Sequence, residues 1–100
     1  MTSERDAEEM QVGWKQRADD LVWKEIEGEV IVLDLRSARY LSLNATGVLL
    51  WEALESEKSK QQLAELLEEH FDLPPEQARH DAVAFADSCA SLGLIEHSDT

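Results

Sequence analysis

The chain is poor in cysteine, glycine, proline and positive charge, and each shortage excludes something. One cysteine, Cys89, rules out an intramolecular disulfide. Four glycines form neither GxGxxG nor GK followed by Ser or Thr, so the common phosphate-cradling loops are absent. The apolar runs are a few residues long, far below the roughly 20 that span a bilayer. Nine basic side chains face 22 acidic ones, a formal charge of -13 over 100 residues. Free nucleic acid and anionic membranes therefore meet a repulsive field, and no basic patch offsets it. The opening Met1 to Met10 is acidic and polar, where a secretory signal is basic and then apolar. With the lone cysteine, this points to the cytoplasm.

Catalytic and metal chemistry are missing as well. His70, His80 and His97 are separated by a helix break and by a helix, so they do not form a ligand set with Cys89, which lies on a core stripe. No serine sits in GxSxG. The many glutamates fall on solvated helix faces, with no apolar pocket to shift their titration. No catalytic residue, metal or cofactor is expected.

What is present is a domain pattern. Residues 1–13 read as a flexible acidic tail, 14–97 as one domain and 98–100 as a short tail. Leu21 to Ile26 suits a strand, Glu27-Gly28 a hairpin turn, and Glu29 to Leu35 a β-branched-rich second strand. Arg39 to Leu43 is the third strand and the one expected to keep an open edge. Asn44 then caps a helix running from Ala45 to about Glu57. Ser59 heads a second helix, whose Leu63, Leu66, Leu67, His70 and Phe71 share a stripe. Pro74-Pro75 ends it and lets a third helix run to about Leu92, with Gly93 as the stop. Ala78, Ala82, Phe85, Cys89 and Leu92 form its core stripe, and Trp51 and Phe85 are expected in the core. Arg79, Val83, Ala86 and Ala90 lie beside that stripe, where small side chains suit the floor of a groove. Three strands and then three helices predict an α+β domain.

The run VIVLDLRSARYLSLNATGVLLW resembles the PqqD family, the peptide-binding domains also called RiPP recognition elements. The matching features, in order, are Leu33-Asp34, a short turn, Tyr40, Leu43-Asn44, Thr46-Gly47 and Trp51; the Leu-rich second helix ending at Phe71 and the closing Leu92-Gly93-Leu94-Ile95 also fit. The resemblance covers about Leu21 to Glu96. It implies a winged helix-turn-helix-like, non-catalytic adaptor that binds the leader segment of a ribosomally made precursor peptide as an added strand. The adaptor then presents that leader to a processing enzyme such as a leader protease or radical SAM enzyme, with lasso peptides one class so served. Transferred to this chain, the strand edge is Arg39, Tyr40, Leu41, Ser42 and Leu43, and the helical wall is Arg79, Val83, Ala86 and Ala90. Two alternatives stay open at this point: a winged-helix DNA-binding regulator, disfavoured by a third helix whose only Lys or Arg is Arg79, and a peptide-free protein interaction module.

Overall fold

The structure, a computed structural model, describes residues 10–97. Among these are six strands and three helices of the α+β class: β1 (Gly13–Gln16), β2 (Leu21–Ile26), β3 (Glu29–Asp34), β4 (Arg39–Leu43), α1 (Ala45–Ala53), β5 (Lys58–Ser59), α2 (Lys60–Phe71), α3 (Pro75–Ser91) and β6 (Ile95–His97).

The expected meander is there as the antiparallel sheet β2-β3-β4. Glu27 and Gly28 both take positive φ, 51° and 83°, the backbone of a two-residue type I′ hairpin turn. Along β3, Val30, Val32 and Asp34 point inward and are buried, while Glu29, Ile31 and Leu33 point out. A second small sheet, ordered β5-β1-β6, was not anticipated. Its strands are two to four residues long, too short for alternation to reveal them. It corrects the expected tail boundary: Gly13 pairs with Ser59, and Met10 is buried. Residues 1–9 and 98–100, where the rest of the expected tails fall, lie outside the described residues.

The helix signals hold. Asn44 Oδ1 accepts the Gly47 N–H at 3.2 Å, which caps α1. Gly47 is there for space, since a Cβ would lie 3.2 Å from Leu43 Cβ. Helix α1 stops at Ala53 rather than near Glu57. Ser59 and Gln62 form a reciprocal capping box on α2. After α3, Gly93 turns the chain at φ 74°, with the Leu94 N–H returning to Cys89 O.

The core lies between the inner sheet face and the helices: Val30, Val32 and Leu43 meet Leu50, Trp51, Leu54, Leu63, Leu67, Ala82 and Cys89. Trp51 is wholly buried, as expected, and Trp23 meets it edge-on. Phe85 is only half-buried, at the border of the core, and Leu92 is exposed. The expected α3 stripe therefore holds for Ala78, Ala82 and Cys89 but turns outward at Phe85 and Leu92.

Candidate functional site

Strand β4 pairs on one side with β3, and its other side is the edge of the sheet. Which of its amides face out follows from the ladder. A two-residue hairpin makes its flanking pair, Ile26 and Glu29, exchange hydrogen bonds, so Glu29, Ile31 and Leu33 bond toward β2. The Leu35 N–H donating to Asp20 O at 2.9 Å continues that phase. Val30, Val32 and Asp34 therefore bond toward β4, where they face Leu43, Leu41 and Arg39. The residues between, Tyr40 and Ser42, direct both N–H and C=O away from the sheet. Their side chains lie on the sheet's outer face, and Tyr40 is 74 % exposed.

Helix α3 supplies a second wall, and two hollows lie along the edge between them. One, about 310 Å³, is lined by Ser42, Leu43, Thr46, Gly47, Asp81 and Phe85 among others. The other, about 160 Å³, lies between Val32, Asp34, Arg39 and Leu41 on the sheet side and Ser91, Leu92 and Leu94 on the other. Glu29 and Asp81 place negative charge at the first, while the second holds Arg39 together with Asp34, whose carboxylate is paired with Arg17.

All five expected strand residues, Arg39, Tyr40, Leu41, Ser42 and Leu43, are brought to this edge. The expected helical wall is not. Arg79 and Val83 line a separate hollow with Met10, Lys60, His80 and Asp87. Ala86 is fully buried in the core, and Ala90 packs half-buried against it. The residues of α3 that line the two hollows are Asp81, Phe85 and Ser91, joined by Leu92 just past its end. At 100° per residue, Asp81, Phe85 and Leu92 lie within about 40° of one another, on one shoulder of the core stripe, with Arg79, Val83 and Ala90 on the other. Periodicity locates the stripe without saying which shoulder meets the strand.

A residue with no sequence signal is bonded to Asp34, which lines the second hollow. Arg17, between β1 and β2, is 7 % exposed and bonds Asp34 Oδ1 at 2.6 Å, Gly93 O at 2.8 Å, Asp19 O at 2.9 Å and Asp20 O at 3.1 Å. Asp34 also accepts from the Arg36 N–H and the Ser37 hydroxyl. The Arg17 hydrogen bond, against the opposing effect of burial and with help from Arg36 and Ser37, holds the Asp34 carboxyl well below the usual carboxylate range. Asp34 in turn raises the Arg17 guanidinium. Burial pushes the Cys89 thiol up to about 12, which keeps it protonated and unreactive. Among the described residues there is no cluster of three His, Cys, Asp or Glu placed to hold a metal, and no helix is long and apolar enough to cross a membrane.

An α+β domain with a sheet edge that opens onto hollows beside a helix is the class this geometry defines. The family described as coenzyme PQQ synthesis protein D (PqqD) matches residues 29–95, and the chain belongs to it. Two solved structures share the fold. TbiB1 in complex with the TbiA(beta) leader peptide superposes with a TM-score of 0.74 at 24% identity, covering 86% of this chain and 99% of that one. Lasso peptide synthetase B1 complexed with the leader peptide gives 0.72 at 23% identity, covering 83% and 96%. No curated protein matches the chain.

Proposed function

We propose that this protein is a non-catalytic, cytoplasmic adaptor that takes the leader of a ribosomally made precursor peptide as a strand along β4 and presents it to a modifying or leader-cleaving enzyme. The observation that carries this reading is the outward phase of Tyr40 and Ser42 on an edge flanked by α3. Two residues offer two donors and two acceptors to a guest backbone, and alternate guest side chains fall toward the two hollows. Family membership supports it, as do the leader peptides bound to both structural relatives, and the lasso peptide synthetase among them favours the lasso class. The outer sheet face supports the presenting half. Val22, Ile26, Ile31, Leu33 and Tyr40 are exposed there, in a patch that an added strand would extend, and it is the apolar surface left for a processing enzyme. The acidic chain and the single Lys or Arg on α3 argue against duplex DNA.

The test is titration of a fluorescein-labelled synthetic leader, made from whichever short precursor reading frame adjoins this gene, followed by anisotropy. Saturable binding that a scrambled peptide does not compete supports the adaptor. Absence of saturation, with the protein folded by circular dichroism, overturns it.

A further inference from the structure

We propose that Arg17, outside the groove and touching no guest, sets the separation of the groove's walls at the 160 Å³ hollow and so acts as a positioning residue for the guest side chain seated there. This rests on the peptide-binding reading and adds a specificity determinant to it.

The argument begins with what the guanidinium joins. One wall of the hollow is rooted at Asp34, whose side chain holds the loop leading into β4: Oδ1 takes the Arg36 N–H at 2.9 Å, Oδ2 the Ser37 hydroxyl at 3.0 Å, and its carbonyl the Ala38 N–H at 2.8 Å. The other wall is rooted at the turn after α3, where Gly93 and Leu94 follow Leu92. Arg17 bonds both roots through different nitrogens, Nη2 to Asp34 and Nη1 to Gly93 O, and its own backbone N–H donates to Leu94 O at 2.9 Å. A planar fork with its donors at fixed angles prescribes the distance between its partners, as a single flexible ammonium does not. Among the described residues the 310 Å³ hollow has no such tie; its lining comes from β3, β4, α1, α2 and α3. The clasp therefore acts on one end of the groove only.

That asymmetry supplies the test. Arg17→Lys keeps a positive charge for Asp34 but cannot bridge both roots. Binding of the labelled leader and its single-alanine variants is measured on parent and Arg17→Lys proteins. In the parent, the alanine variants that weaken binding fall into two groups, one per hollow, assigned by which group Leu92→Ala and which group Phe85→Ala renders silent. The expected result is that Arg17→Lys reduces the penalty of the Leu92 group from about tenfold to under about threefold and leaves the Phe85 group's penalty in place. Equal loss in both groups, or loss in neither, overturns the proposal.

A readout without ligand separates this from failure of the adaptor reading. Amide hydrogen exchange at Ala38 and Leu94 should quicken in Arg17→Lys by tenfold or more relative to the amides of α2, whether or not any leader binds. Unchanged exchange there sinks the clasp even if the leader binds. Should Arg17→Lys fail to fold, Ser37→Ala, which leaves the ion pair whole but removes a hydroxyl that lines the hollow, donates to Asp34 Oδ2 and accepts the Arg39 N–H, is expected to move both readouts in the same direction by a smaller factor. If it moves neither, the clasp is refuted.

Discussion

The sheet β2-β3-β4 has two edges, and they differ in what lies beside them. On β2 the backbone groups facing away from β3 belong to Leu21, Trp23 and Glu25, by the same ladder phase that turns Tyr40 and Ser42 outward on β4. Trp23 is spent on packing against Trp51, with ring centroids 6.4 Å apart and planes at 89°. Along β4 the neighbouring space is hollowed out between strand and helix. Unpaired amides alone recruit any strand; a groove beside them lets the guest's side chains be read. The β2 edge thus belongs to a strand whose Trp23 packs on the core, and the β4 edge opens onto two hollows.

The sharpest way to break the packing side of that comparison is Trp51→Ala. Trp51 is fully buried beneath Trp23, and removing an indole from a closed core costs about 3 to 5 kcal/mol. Urea unfolding should show the loss at an unchanged slope, and a protein melting like the parent would remove Trp51 from the core. Acid sharpens the comparison from the β3 side. Asp34 has its carboxyl depressed in the folded state, so the stability it contributes is present above the ordinary carboxylate value of about 3.9 and is lost as pH falls through the depressed one. The urea-midpoint gap between the parent and Asp34→Asn should be widest at neutral pH and close progressively below about pH 4. Titration of the other carboxylates cancels in that difference, and a gap independent of pH would contradict the pairing.

The strand half of the groove was legible because its signals are local. Glycine at a two-residue turn, β-branched alternation, and Asn44 before Ala45 each act within a few residues, so β2, β3, β4 and the start of α1 were foreseen. What was missed depends on tertiary placement. Strands β1, β5 and β6 are too short to show a period and exist because they find one another. The choice of Arg79 and Val83 over Asp81 and Phe85 came from a helix whose core stripe has two shoulders of similar make-up, and only the packing of α3 on α2 and the sheet selects between them. Arg17 looks like any surface cation in sequence, since its partners, Asp34 and Gly93, are 17 and 76 residues away.

A smaller effect separates the two backbone phases of β4. Ser42→Pro removes an N–H that faces the guest, so the hairpin should survive while leader affinity falls roughly two- to tenfold, the equivalent of about 0.5 to 1.5 kcal/mol for one hydrogen bond. Leu41→Pro removes an N–H bonded to Val32 and should instead destabilise the hairpin by about 1 to 3 kcal/mol. The paired readout is leader anisotropy and thermal melting by circular dichroism. Reversed behaviour of the two variants would mean that the ladder phase has been read the wrong way round.

The smallest expected effect is the most pointed, because it asks for none. Val83 is half-buried on the shoulder of α3 that faces Lys60, Met10 and Arg79, across the helix from the β4 hollows. A glutamate there enters a hollow that already holds Arg79 and His80 beside Glu76 and Asp87, so folding should tolerate it at a cost of under about 1 kcal/mol. If the guest lies between β4 and the shoulder carrying Phe85, Val83→Glu should bind the leader within twofold of the parent, while Phe85→Glu, which puts charge into the 310 Å³ hollow, should weaken it by at least tenfold. Both variants add one negative charge to the same helix, so any long-range repulsion of an acidic leader is common to the pair and drops out of their ratio. A ratio near one would mean that the guest uses both shoulders or neither, and the open edge of β4 would then have to select by backbone pairing alone.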